Sequence, residues 1–139
     1  KRKFVVMNYW IVGAMFGGVD DALESFIERG YWYCWNKKVP TGEESKGPNS
    51  IERQIEKFKE ISIGDKIAVK KIHSVPEQKM EVRALGIVKD IDFEEWRVYV
   101  DWKVQFKHLE RIVDLHGWSA SIHGPYQYSD TRIHKVFCL

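Results

Sequence analysis

Cysteine is scarce in this chain of 139 residues, with only Cys34 and Cys138 present. There is no Cys-x-x-Cys and no paired histidine spacing, so the sequence writes neither a zinc site nor an oxidised framework. Both cysteines are expected as free thiols. Long apolar runs are missing too. The longest, Tyr9 to Phe16, falls far short of the roughly 20 residues that a membrane-spanning helix needs. The N-terminus lacks a signal peptide's apolar core and small-residue cleavage site, so the expectation is a cytoplasmic setting without a membrane. Charge of one sign is not in excess: 22 Lys and Arg stand against 20 Asp and Glu, for a net charge of +2. Any basic surface must therefore be local. The Gly-x-Ser-x-Gly elbow, the phosphate-binding Gly-x-x-x-x-Gly-Lys-Ser/Thr loop and the His-Glu-x-x-His helix are all absent. No catalytic residue, metal or cofactor is called for.

Aromatic residues are plentiful. Six Trp, six Tyr and seven Phe make up 14% of the chain. Six indoles are more than a small core ordinarily requires, because each buried N–H wants a partner; the excess points to a binding pocket. The length suits one domain over residues 1–139, and hydrophobic and charged fractions of 44% and 30% are those of an ordinary globular protein.

Local pattern predicts the elements. Tyr9 to Val12 reads as a strand buried on both faces, bounded by Gly13 and Gly17-Gly18. Asp21, three residues before Glu24, has capping-box spacing, and Ala22, Leu23, Phe26 and Ile27 repeat at helical intervals up to a stop at Gly30. Lys37 to Ser50 is polar and reads as an exposed loop. Asn49 or Ser50 then caps an amphipathic helix carrying Ile51, Ile55 and Phe58 on one face. After the Gly64-Asp65 turn, strands are expected at Lys66 to Ile72, Glu81 to Ile91 and Trp96 to Val104. In the last of these, Trp96, Val98, Val100, Trp102 and Val104 share one face, leaving Arg97 on the other. His108 to Leu115 fits a strand or a helical turn, Gly117 to Asp130 reads as a long loop, and Arg132 to Leu139 alternates as a closing strand. Mixed strands and two short helices suggest an α+β fold: a small, strongly bent or barrel-like sheet with helices flanking it.

Each candidate residue has an ordinary alternative. Cys34 with His73 or His123 has the residue types of a nucleophile and its base, but those types prove nothing without geometry. Asp20-Asp21 has the types of an acid–base pair, although a cap already explains Asp21. Trp10 and Trp102 sit mid-strand and read as core, while Trp96 stands at an edge where pocket and core are both open. Trp32 and Trp35 lie at a helix-to-loop junction where no packing period demands them. Trp118, Tyr126 and Tyr128 lie in the polar loop, where they line a groove or cap the core. Lys37, Lys38, Lys46, Lys70, Lys71 and Arg132 are candidate phosphate contacts, set against simple solvation.

The order of the pieces carries more. The strand Tyr9-Trp10-Ile11-Val12 leads through a Gly-rich turn to the Asp21 helix, to Tyr31-Trp32-Tyr33, to a second helix, and to Gly64-Asp65 with Ile67-Ala68-Val69-Lys70. Ala84-Leu85-Gly86-Ile87-Val88 and Val98-Tyr99-Val100-Asp101-Trp102 follow. This arrangement, over about Asn8 to Lys103, resembles the PUA-like superfamily and, within it, the EVE and YTH domains. It is especially similar to the modules at the front of McrB-type modification-dependent restriction proteins. The resemblance implies a closed, barrel-like mixed sheet with helices outside and a pocket for one base flipped out of a nucleic acid. It places Trp32 and Trp96 as walls of an aromatic cage with Trp35 beside them. The main chain at Tyr33 and Cys34 comes against the exocyclic amine and Asp21 against the base edge. The family's Lys-Ser-aromatic segment is here Gly13-Ala14-Met15-Phe16, so a different cage is expected.

The function that follows is a non-catalytic reader of modified double-stranded DNA, taking N6-methyladenine or a modified cytosine. It would be the specificity module of a modification-dependent restriction system, fused to or partnered with an NTPase or nuclease effector. Two other readings stay open. One is an RNA-binding PUA-like module. The other is a small hydrolase or amidohydrolase on the related ASCH scaffold, which needs a Lys, Glu and Thr or Arg cluster in its pocket.

Overall fold

The computed structural model describes residues 6–16, 20–35 and 50–139. Nine strands and two α-helices are found there. In chain order they are β1 (Tyr9–Gly13), β2 (Met15–Phe16), β3 (Asp20–Asp21), α1 (Leu23–Arg29), β4 (Tyr31–Trp32), α2 (Ile51–Glu60), β5 (Lys66–Ser74), β6 (Lys79–Asp92), β7 (Arg97–Gln105), β8 (Ile112–Asp114) and β9 (Ile122–Tyr126); a 3-10 turn at Thr131–Ile133 follows. The main sheet runs β4-β7-β6-β5-β1-β9, with β8 added on β6, and β2 and β3 form a separate ribbon. β1 and β5 are parallel and the other pairs antiparallel. The result is α+β: a mixed sheet curled into a half-barrel, with two short helices.

The sheet separates two cores, which explains why β1 and β5 read as unbroken apolar runs. On β1, Trp10 and Val12 enter one core with Phe26, Trp32 and Phe58, while Tyr9 and Ile11 enter the other with Met80, Leu115 and Trp118. On β5, Ile67 and Val69 face the first and Ala68 the second. The expected face of β7 packs inward at Val98 and Val100 and loosens at its end, where Val104 is exposed. Opposite it, Gly86 admits the close approach of β7, because a Cβ there would overlap the Val100 and Trp102 side chains.

Both helices end as their sequences direct. Gly30 adopts the left-handed conformation (φ 70°) and its N–H returns to the Phe26 carbonyl, closing α1. The Ser50 side chain accepts the Arg53 N–H at the start of α2. The Asp21 carboxylate accepts the Leu23 N–H at 3.0 Å from one position before the cap residue Ala22, so it serves α1 without the capping-box register.

The fold corrects the reading in three places. Trp32 is a strand residue, paired through β4 to Val98. The expected loop 117–130 contains β9, which completes the edge beside β1. The expected closing strand at 132–139 is absent: after the 3-10 turn, Ile133, Val136 and Phe137 pack into the second core at helix-like spacing, which alternation does not describe.

One buried carboxylate sets the parallel pair. Asp65, from the Gly64-Asp65 turn, accepts N–H groups from Asn8 (3.2 Å), Ser62 (2.9 Å) and the Trp10 indole (2.9 Å). It clamps the starts of β1 and β5 together, and the register running from Tyr9–Lys66 to Gly13–Lys70 sets the far end of β1 beside Lys70 in the middle of β5. That far end holds the site.

Candidate functional site

The residues assigned to an aromatic cage are together, but they are packed on one another. Trp32 is fully buried and its indole donates to the Gly13 carbonyl at 2.9 Å. Phe58 of α2, also fully buried, lies 6.2 Å from Trp32 in a stacked pose, 6.1 Å from Trp35 and 5.3 Å from Trp96 edge-on. Trp96 meets Trp35 at 5.4 Å and occupies a left-handed backbone position (φ 57°). Trp32 is thus enclosed against Phe58, whereas Trp96 is half-buried and meets Phe58 at its edge. Trp35 is buried, and its Nε1 has no hydrogen-bond partner among the described residues. Cys34 is buried as well, and burial pushes its thiol well above the ordinary range. A thiol held protonated and out of solvent is a poor nucleophile. The ring of Tyr33, with that of Tyr31, clasps the buried guanidinium of Arg97 at 4.1 and 4.7 Å. Arg97, expected on the polar face of β7, is thus held inside by aromatic faces.

The other tryptophans follow the core reading. The Trp102 indole donates to the Phe26 carbonyl at 2.9 Å and ties β7 to α1. Trp118 is buried in the second core and donates to the Tyr126 hydroxyl at 3.0 Å. Arg132 lies over the Tyr126 ring at 5.1 Å, and its guanidinium is occupied by Asp130, at 2.6 Å for the shorter of two contacts. It lines a small cavity of about 210 Å³ beside His116 and Lys135. Lys37, Lys38 and Lys46 lie outside the described residues.

Lys70 and Lys71 are placed differently. At the ends of β1 and β5 a cavity of about 370 Å³ opens between Gly13, Ala14 and Met15 on one side and Ser119, Ala120 and Ser121 on the other. Lys70, Lys71 and Ile72 supply the β5 wall. Lys70 is 5% exposed. Its ammonium reaches the Gly13 backbone, so that a Cβ added at Gly13 would lie 3.7 Å from Nζ. It makes no hydrogen bond or ion pair with any described residue, and none of the described residues lining the cavity is acidic. Burial alone lowers its pKa, to about 8, so the amine is still protonated at neutral pH.

Around it the field is positive. The His123 ring accepts the Ala120 N–H at 2.8 Å through Nε2, and burial, with the charges of Lys70 and Lys57 behind it, lowers its pKa to about 3. His123 is therefore neutral at pH 7. Lys71 is satisfied by Asp21 at 2.6 Å. Burial pushes the Asp21 carboxyl up, but the bonds from Lys71 and the Leu23 N–H outweigh it, and the group ends below the usual range.

A wider groove of about 660 Å³ shares Lys71 with this cavity and continues along α1. Asp21, Glu24 and Glu28 there oppose Lys71, Arg83 and His108, so its charges are mixed. The smaller cavity is the one with an uncompensated charge. Sequence reasoning found its two lysines and the Gly13-Ala14-Met15 segment but missed Ser119, Ala120 and Ser121, and named His123 only as a possible base for Cys34. The available signals were a lysine following three buried positions of a central strand and a Ser-Ala-Ser run in a loop that otherwise feeds the core. Compared with known protein families, curated proteins and solved structures, the chain matches none.

Proposed function

We propose that this domain is a non-catalytic nucleic-acid reader, and that the cavity at the ends of β1 and β5 receives a single base turned out of modified double-stranded DNA. The observation that carries this reading is Lys70: a lysine only 5% exposed, with no hydrogen bond or ion pair to any described residue, lining a cavity large enough for a base. A buried charge without a counter-group is costly, and a ligand that supplies acceptors relieves that cost. Small apolar walls at Ala14 and Ala120, with the polar residues Ser119 and Ser121, suit the mixed surface of a heterocycle. The PUA-like resemblance supports the same use of the fold. The pocket differs from the expected cage, since Trp32 is fully buried with Phe58 stacked near it.

The energetics set what else is needed. Flipping costs a few kcal/mol in stacking and pairing, and a buried methyl group returns only about 0.8 kcal/mol. Phosphate contacts must therefore supply much of the affinity and make it salt-dependent. Lys71 at the cavity rim is placed for one, in exchange for its bond to Asp21. The hydrolase reading lacks support at this cavity, because among the described residues no carboxylate lines it beside Lys70. In the cell this reader would direct an effector NTPase or nuclease of a modification-dependent restriction system in the cytoplasm, as the resemblance implies.

The test is fluorescence anisotropy at fixed salt. Matched duplexes carrying adenine, N6-methyladenine, cytosine, 5-methylcytosine or 5-hydroxymethylcytosine are compared with single-stranded DNA and RNA. A preference of about tenfold or more for one modified duplex, equal to about 1.4 kcal/mol, is expected. Uniform or absent binding, or a preference for RNA, overturns the proposal.

A further inference from the structure

The geometry points to the groove beside α1 as the contact face of a symmetric dimer, entered by the 107–110 turn of a second copy of this chain. The inference uses neither Lys70 nor the reading of a base and stands apart from both. Three kinds of surface meet in the groove. Glu24 and Glu28 line it from α1 with carboxylates, Arg83 lines it from β6 with a guanidinium, and Leu23, Ile27 and Phe106 add apolar surface. An occupant that matches all three carries a cation, an apolar side chain and a carboxylate close together.

The turn at 107–110 holds these three groups in four positions. Lys107, Leu109 and Glu110 are exposed, and His108 between them lines the groove, so turn and groove share a rim. The Glu110 N–H returns to the Lys107 carbonyl at 3.0 Å, and the Lys107 N–H donates to the Glu110 carboxylate at 2.7 Å. The buried Glu81 carboxylate accepts the Leu109 N–H and lies 3.2 Å from the His108 ring. Leu109 is thereby fixed in the left-handed region (φ 61°) at the third position of the turn, where Gly or Asn is the ordinary residue. Its side chain is left 49% exposed. Glycine would serve the isolated chain better there; an apolar surface that covers the side chain explains the leucine. Because turn and groove border each other, a two-fold axis at the rim gives each copy's turn to the other's groove, the reciprocal contact of an isologous dimer. Leu109 of the second copy then meets Leu23, Ile27 and Phe106, its Lys107 meets Glu24 and Glu28, and its Glu110 meets Arg83. A net charge of only +2 puts little overall repulsion between two copies.

Sedimentation velocity of the whole chain at rising protein concentration tests this. The wild type is expected to pass from monomer to dimer, and to do so less readily at high salt, which screens the charged contacts. Leu109→Gly relieves the left-handed position and removes the apolar group. It should resist denaturant at least as well as the wild type, while its dimer dissociation constant rises about tenfold or more. Glu28→Arg and Lys107→Glu should each weaken the dimer, and an equimolar mixture of the two should recover it, because each like-charge pair becomes an opposite one. A wild type that stays monomeric at every concentration overturns the inference and leaves the groove to a different occupant. A dimer that Leu109→Gly or either charge variant leaves at full strength overturns it too, as do charge variants that stay weak when mixed. If Leu109→Gly fails to fold, the charge exchange decides alone.

Discussion

The aromatic cluster around Phe58 and the cavity at Lys70 are two regions built on opposite terms. In the first, four large rings satisfy one another: Trp32, Trp35 and Trp96 each pack on Phe58, and the Trp32 N–H is used by Gly13. In the second, Lys70 is only 5% exposed and makes no hydrogen bond or ion pair with any described residue. The difference teaches that residues conspicuous in composition are not thereby available to a ligand. An indole that has found both a stacking face and an acceptor contributes to stability. A charged group that folding has dehydrated without pairing is still able to gain from something outside the chain.

The sharpest way to break this contrast is to truncate the cluster. Phe58→Ala or Trp32→Ala removes a fully buried ring and should cost about 3–5 kcal/mol of unfolding free energy, read by urea denaturation. A Trp32→Ala protein that keeps its stability and loses only ligand binding would turn the cluster back into a cage. Next in size is the clamp that aligns both strands of the cavity. Asp65→Ala leaves three N–H donors unsatisfied and is expected to destabilise by about 3 kcal/mol, and the slip should be visible as faster amide exchange across β1 and β5.

Lys70→Met should go the other way, with stability equal to or above the wild type. Folding lowers the pKa of this lysine from 10.5 to about 8. The unfolded chain therefore binds more protons between those values, and Lys70 costs stability below about pH 8. The wild type should gain stability as pH rises from 8 toward 10.5, and Lys70→Met should lack that component. A variant less stable than wild type at pH 7 would mean that Lys70 is already satisfied.

A second pH effect lies on the acid side. His123 is neutral in the fold, with its pKa lowered from 6.5 to about 3 by burial and then by Lys70 and Lys57. The unfolded state takes up its proton first, so stability is lost as pH falls from 6.5 toward 3. The groups that act on it beyond burial are Lys70, Lys57 and the Ala120 N–H. Removing the Lys70 charge should shift His123 upward, and NMR titration of the ring in Lys70→Met reads this directly. Smallest is the rim pair: Lys71→Ala breaks a half-exposed bridge to Asp21 and should cost no more than about 1 kcal/mol, while reducing the salt dependence of any nucleic-acid binding.

Much of the fold was legible. The double-sided strand at Tyr9, the Gly30 stop, the Ser50 cap, the Gly64-Asp65 turn and the inward face of Val98 and Val100 all follow from local rules, because each depends on neighbours a few residues away. The third helix-like packing at Ile133, Val136 and Phe137 was misread because a short tail offers too few positions to tell one period from another. The site was less legible. Lys70 and Lys71 were picked out as two charges among several, with nothing to separate them from Lys37 or Arg132. Trp32 and Trp96 stood out because no local period demanded them, yet Phe58, distant in sequence, was their partner.

The amino-acid sequence by itself determined the longer elements β1, α1, α2, β5, β6 and β7 and the α+β character of the fold, since capping, periodicity and turn chemistry act over short stretches of chain. Which polar groups went unpaired was decided only by the tertiary structure. Asp65 found three donors and Lys71 found Asp21, but Lys70 was carried inward by the parallel pairing of β5 with β1 and met no carboxylate among the described residues. Pairing of buried charges depends on atoms brought together from distant parts of the chain, and no local pattern records it.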